Sequence, residues 1–209
     1  MRLIVFGSTG GTGRQLIQQA LAAGHIVTAI ARNPSALTFQ NRSLSIINGD
    51  VLQLPSFEAA MQQQDAVLSA LGFRSAKDVN VYSQGVINII TAMNRYGVKR
   101  IICVSAAAAE TNPTLSPVYR LLTKLLQSIL KETYADVLRM EKQLRATNLE
   151  WTIVRPPRLT NGRMKSKYRF SINEWLKHCT AISRADLAHF MLEHINDRNT
   201  FQSISEIAY

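Results

Sequence analysis

Three glycines behind a short apolar run constrain this chain more than any other feature. Residues 2–6, Arg-Leu-Ile-Val-Phe, read as a β-strand, and Gly7-Ser8-Thr9-Gly10-Gly11-Thr12-Gly13 follows directly. The spacing is Gly-x-x-Gly-x-x-Gly. Gly7 permits a tight turn, Gly10 lets the backbone approach a pyrophosphate closely, and Gly13 lets the next helix lie against the strand. That helix then presents unpaired N–H groups and a positive dipole end to phosphates. Leu16, Ile17, Ala20 and Leu21 recur at helical spacing up to Gly24, and Ile26 to Ile30 is a second apolar run. A glycine triplet alone is weak; between a strand and a helix, with a second strand after it, it reads as a dinucleotide cradle.

The rest of the chain continues the alternation. Leu44 to Ile47 reads as a third strand, Pro55 to Gln63 as a helix, and Ala66 to Ala70 as a fourth strand closed by Leu71-Gly72. Val81 to Tyr96 carries a broad apolar helical face ended by Gly97. Arg100 to Val104 is a fifth strand, 116–147 is mostly helical with a break near Glu132, and Trp151 to Val154 is a sixth strand. Apolar strands alternating with helices predict a doubly wound parallel sheet of the Rossmann type, with helices on both faces and strands buried on both sides. The tail departs from this rhythm. Residues 156–180 are polar and basic, with one candidate strand at 168–172, and are expected to cover the substrate. Ser183 is the expected N-cap of a helix reaching about Ile195, with Asp186 in its first turn. Phe201 to Ile207 is expected as an edge strand. No repeat or linker interrupts the 209 residues, so one domain, 1–209, is expected.

An acidic residue about 20 positions beyond the glycines would bind a ribose 2′-hydroxyl. Arg32 stands there instead, and no Asp or Glu lies between Arg14 and Phe39. An arginine meets a 2′-phosphate with charge-assisted bonds, so NADPH is the expected cofactor. Asp50-Val51, after the third strand, would flank the adenine; Asp50 reads equally as a turn cap. Ala70, Leu71 and Gly72, after the fourth, would line the adenine ribose side.

The formal charge of +10, from 24 Lys+Arg against 14 Asp+Glu, points to anionic partners without choosing among them. Six of those basic residues (Arg155, Arg158, Arg163, Lys165, Lys167 and Arg169) crowd into 155–169 with no acid between them. They read as an anion-attracting rim or as a solvated loop. Two cysteines, Cys103 and Cys179, make no disulfide framework and fit a reducing compartment. Residues 1–6 read as a strand rather than a signal peptide. No run is long enough to span a bilayer. A cytoplasmic location is expected. No Cys-x-x-Cys or His-Glu-x-x-His occurs, so no metal is expected.

Gly7 through Gly13, Ala31-Arg32, Gly49-Asp50-Val51, Val104-Ser105-Ala106, Thr152-Ile-Val-Arg155-Pro156-Pro157 and Ile182-Ser-Arg-Ala-Asp186 follow one another in order. Together they resemble the atypical short-chain dehydrogenase/reductases. Within these, the chain is similar to the branch holding biliverdin-IXβ reductase/flavin reductase and the nitrogen-metabolite-repressor-like NAD(P)-binding proteins. The resemblance covers nearly the whole chain and implies fold and cofactor, not substrate. It places Ser105 at the superfamily's active-site serine and the Pro156-Pro157-Arg158 stretch beside the substrate; the two prolines themselves fix a stiff turn, one way to build a wall, with Pro156 in it, beside the nicotinamide. Ser105 and Arg158 are thus the catalytic candidates. Ser105 reads equally as a polar strand-end cap and Arg158 as a surface charge. The chain departs from the wider superfamily in lacking a Tyr-x-x-x-Lys pair. Four residues beyond Tyr82, Tyr96, Tyr119, Tyr134 and Tyr168 stand Val86, Arg100, Thr123, Leu138 and Ile172, and Thr133 and Val137 occupy the places relatives give to the dyad.

The expected function is therefore an NADPH-dependent reductase passing hydride to a flavin or related planar acceptor such as biliverdin, without a dyad. The rival is a non-catalytic NADP(H)-binding regulator or assembly factor docking a macromolecule through its basic face. An anionic or planar small molecule is the expected partner, with no nucleic acid, no membrane, and a monomer with no long exposed apolar helix.

Overall fold

The computed structural model describes residues 1–72 and 80–209. In chain order the elements are β1 (Arg2–Phe6), α1 (Gly11–Ala22), β2 (Ile26–Ala31), β3 (Leu44–Asn48), β4 (Ala66–Ser69), α2 (Val81–Tyr96) and β5 (Arg100–Val104). Then come α3 (Pro117–Ile129), α4 (Lys131–Arg145), β6 (Glu150–Arg155), β7 (Arg158–Thr160), β8 (Arg169–Ile172), β9 (Ala181–Ser183), α5 (Arg184–Glu193) and β10 (Ser203–Ala208). The main sheet has the order β3-β2-β1-β4-β5-β6-β10-β8, parallel throughout except for the β10–β8 pair. The doubly wound parallel sheet expected from the alternation is what forms.

Alternate side chains of a strand point to opposite faces, and β1 splits its residues accordingly. Leu3 and Val5 join a core with Leu16, Ile17, Leu187 and Phe190 from α1 and α5. Ile4 and Phe6 join the opposite core with Phe57, Ile89, Met93 and Met140 from the α2–α4 side. Gly97, left-handed at φ 73°, ends α2, as a glycine at that position does without Cβ strain. Asp136 of α4 accepts hydrogen bonds from the Tyr82 and Ser83 amides and the Ser83 hydroxyl, which fastens α4 to the start of α2. Ser183 caps α5 by accepting from the Asp186 amide, as expected.

Three expectations fail. Residues 55–63 form two short 3-10 turns, Leu54–Ser56 and Glu58–Met61, rather than a helix. The turns drop Phe57 into the core edge-on to Phe6 at 5.0 Å. The last strand is no edge: β10 lies between β6 and β8. And a long exposed apolar helix does exist. No residue of α3 is buried, and Val118, Leu121 and Ile129 are 68–70% exposed. Among the described residues no helix is long and apolar enough to cross a membrane.

Arg100, only 4% exposed, ties the far ends together. It donates to the carbonyls of His194 and Ile195 at the end of α5, to the Glu150 carbonyl, and to the hydroxyls of Thr152 and Thr200. Burial pulls its guanidinium down to about 10, outweighing the acids nearby, yet leaves it charged at neutral pH and supplied with the acceptors that a buried cation needs.

Candidate cofactor and acceptor site

The carboxyl ends of β1, β2, β3, β4 and β5 open onto one groove of about 440 Å³. It sits where strand order reverses between β1 and β4, the place where ligands enter doubly wound sheets. Gly7 holds φ 71°, and a Cβ there would stand 2.1 Å from the Ala70 carbonyl oxygen. A Cβ on Gly13 would meet the Gly7 oxygen at 2.2 Å. The two bare Cα atoms thus let the β1 loop, the β4 loop and the start of α1 close on one another. The first-turn amides of α1 have no acceptor within the helix. Gly10 offers no side-chain cap and no acid occupies that turn. This end of α1 is built to receive an anion from outside the protein.

Of the sequence-derived cofactor residues, Gly7, Ser8, Thr9, Gly10, Gly11, Thr12, Arg32, Asp50, Val51, Ala70, Leu71 and Gly72 all line the groove. Gly13 lies behind it, in the packing role its spacing suggested. Ser8 turns its hydroxyl away, donating to the Ile30 carbonyl at 2.6 Å, so only its backbone faces a ligand. Asp50 serves as a turn cap while lining the groove: its Oδ1 accepts from the Leu52 amide at 3.0 Å. Pro156 lines the neighbouring cavity rather than the groove.

Residues not singled out from the sequence complete the groove. Arg184 lies so close to the glycine loop that a Cβ on Gly11 would touch its Cδ at 2.6 Å. Its guanidinium is held by the Asn161 side chain at 2.7 Å. The signal was present, since Arg184 lies inside the Ile182–Asp186 motif. Tyr82 and Thr133 form the far wall.

A second cavity, about 620 Å³, adjoins the groove. The two meet where Ser105 gives way to Ala106 on one side and Thr133 to Tyr134 on the other. Tyr119 and Leu126 of α3, Tyr134 of α4, Pro156, Pro157 and Arg158 line it. Burial, with Tyr82 next to it, raises the Tyr134 phenol above its ordinary value, so it stays protonated at neutral pH. Sequence reading passed over Tyr134 because it stands one position beyond Thr133 at the dyad's place.

Ser105 is 8% exposed, and its hydroxyl donates to Glu141 Oε1 at 2.6 Å. Glu141 in turn accepts both Nε and an Nη of Arg155, and Arg155 reaches Glu110 with its other Nη. Burial acts to lower the Arg155 guanidinium, but Glu141 and Glu110 outweigh it and hold it above the usual arginine range. Arg155 therefore does not belong to a basic rim. Arg169 is spent on the carbonyls of Lys177, His178 and Tyr209, and Lys165 lies over the Tyr209 ring at 4.2 Å. Only Arg158 of the six lines the cavity. Burial pushes Cys103 up to about 12, which makes it inert. His189 and His194 are structural, bonded to Tyr168 and stacked on Phe190. No metal-ligating cluster occurs among the described residues.

Comparison with known proteins agrees with this geometry. The profile of a family described as NAD(P)H-binding matches residues 7–198. An uncharacterized chloroplastic protein of Arabidopsis thaliana is 30% identical over 172 residues, 77% of this chain and 60% of that protein. The photosystem II assembly factor Ycf39 of Synechocystis is 28% identical over 158 residues, 74% of this chain and 44% of that protein. The chain thus spans about half the length of these two curated relatives. Among solved structures, an anaerobilin reductase of Escherichia coli superposes with a TM-score of 0.81 at 20% identity, over 100% of this chain and 97% of that one. A Rossmann-fold NAD(P)-binding protein of Shigella flexneri gives 0.73 at 25% identity, over 99% and 92%.

Proposed function

Since the chain belongs to the NAD(P)H-binding family, we propose that it is an NADPH-dependent reductase of planar acceptors, flavins or biliverdin-like tetrapyrroles. The observation that supports this is the adjacency of the two cavities: a glycine-lined anion cradle lies beside a wide, largely apolar chamber, their walls continuing from Ser105 to Ala106 and from Thr133 to Tyr134. Among the described residues no Tyr–Lys pair stands at that junction. When bound, the reduced nicotinamide supplies the hydride, a reaction that asks the protein chiefly for orientation and water exclusion. The Gly7–Thr12 loop and the open amides of α1 hold the pyrophosphate, and Arg32 meets the 2′-phosphate. Ala106, Pro156 and Pro157 wall the acceptor. Ser105, its proton committed to Glu141, presents lone pairs and fixes the junction's shape. Arg158 attracts an acidic substituent of the acceptor, and the protonated Tyr134 hydroxyl donates a proton to it. This reading belongs to the biliverdin/flavin reductase branch that the motif order resembles.

The Synechocystis relative's name supports a second reading, a non-catalytic NADP(H)-binding assembly factor. One experiment separates the two. Purified protein with NADPH is mixed with FMN, riboflavin or biliverdin, and nicotinamide absorbance is followed. The reductase reading expects turnover with at least one acceptor. Tight NADPH binding with no turnover on any of them would overturn it in favour of the second.

A further inference from the structure

Helix α3 stands off the body of the protein. Val118, Leu121, Leu122, Leu125 and Ile129 recur at i, i+3, i+4, i+7 and i+11, which gathers them into one stripe. Each is 53–70% exposed. Elsewhere the large exposed apolar side chains among the described residues are scattered, as on any soluble surface, whereas α3 holds more than half of them. A contiguous apolar patch of this kind marks an interaction surface. The helix keeps its contact with the protein through the opposite flank, where Gln127 donates to the Ala108 carbonyl and accepts from Thr111.

The charges beside the stripe choose the occupant. Lys124 stands on the polar side next to Leu121, Arg120 further round that side in line with Gln127, Lys131 just past the helix end, and no Asp or Glu occurs from 111 to 131. A second copy seated on the stripe would bring together two chains that each carry +10. An apolar face backed by a polar side whose only charges are Arg and Lys is instead the signature of a helix lying in the headgroup region of an anionic bilayer. With 13 residues, at about 1.5 Å each, the helix is too short to span and suited to lie flat.

We infer that α3 is an interfacial helix that seats this protein on anionic lipid surfaces, the stripe inserting among acyl chains while Lys124 reaches lipid phosphates and Arg120 adds to the positive field on the polar side. This departs from the expectation of no membrane, which considered a bilayer-spanning run and not a helix lying flat. It is independent of whether the site reduces anything.

The test is co-sedimentation with vesicles of phosphatidylcholine alone or mixed equally with phosphatidylglycerol. Wild type is expected on the mixed vesicles and not on the neutral ones. Leu121→Asp with Leu125→Asp should lower partitioning about tenfold or more, and Arg120→Gln with Lys124→Gln should weaken it and flatten its salt dependence. Unchanged thermal midpoints would show that the variants fold. Three results would each overturn the inference. The first is equal binding by wild type and the aspartate variant, which would assign the effect to overall charge. The second is no binding to either vesicle. The third is a wild-type dimer by light scattering that the aspartate variant converts to monomer, which would give α3 to a second copy.

Discussion

Removing the Glu141 carboxylate should be among the most damaging single changes outside the glycine loop. The Glu141→Ala variant leaves the Arg155 guanidinium almost enclosed, with side-chain exposure of 4%, paired only to Glu110, which is 44% exposed and so screened by water, and with Glu206 near it but not bonded. It also strips the acceptor from Ser105. Breaking a buried pair from one side costs about 3–5 kcal/mol, because the surviving charge keeps its desolvation penalty and loses its compensation. At about 2–4 °C per kcal/mol for a chain of this size, the thermal midpoint should fall by roughly 6–20 °C. The double variant Glu141→Met, Arg155→Met removes both charges and keeps volume, so it should be clearly more stable than the single costs summed, with a coupling of about 2 kcal/mol. Urea unfolding of wild type, Glu141→Met, Arg155→Met and the double supplies the four free energies of the cycle. A Glu141→Ala cost under about 1 kcal/mol, or additivity within about 0.5 kcal/mol, would refute the claim that this pair holds the junction of the two cavities.

Three further outcomes are expected. Arg32→Ala should weaken NADPH binding about 10–100-fold, the worth of one charge-assisted bond, and leave NADH nearly unchanged; fluorescence titration of both cofactors reads it. Tyr134→Phe should cut acceptor turnover about a hundredfold while sparing NADPH affinity, and wild-type activity should show no alkaline loss until above the ordinary tyrosine range, since the phenol is raised. At Asp186 burial acts to raise the carboxyl, but bonds from the Tyr209 hydroxyl, the Ser166 and Lys165 amides and the Ser183 hydroxyl outweigh it and hold it below 3.8. A depressed folded value means stability fully present above the unfolded value and lost as pH falls through the folded one. Unfolding midpoints from pH 6 to pH 2.5 should therefore fall more steeply for wild type than for Asp186→Asn.

What sequence revealed and what it concealed follow one physical division. The β1–glycine–α1 unit is specified by neighbours: Gly7 and Gly13 are read correctly because their close contacts lie within a few residues of the loop and at the end of β4. Ser183 and Asp186 form a cap whose partners are three residues apart. By contrast, Arg155 looks like one member of a charge run, and its true partners, Glu141 and Glu110, lie on elements that only the fold brings near. Strands β7 and β9 pair as three-residue segments, too short for any period to register. The helical pattern of α3 is legible in its apolar spacing, but spacing cannot tell whether a stripe faces a core or solvent. Pro55 to Gln63 carries helical composition, yet burying Phe57 against Phe6 requires a tighter turn.

The interior position of β10 has a consequence for synthesis. Strand β6 is made about fifty residues before its partner Ser203–Ala208, and at about 5–20 residues per second that interval lasts some 2–10 s. Through it the growing sheet ends in an unpaired parallel edge carrying Trp151 and Ile153, a template on which another nascent chain can add. The yield of this protein in a cell should thus depend on how that edge is shielded while the ribosome finishes, a vulnerability that the completed sheet no longer displays.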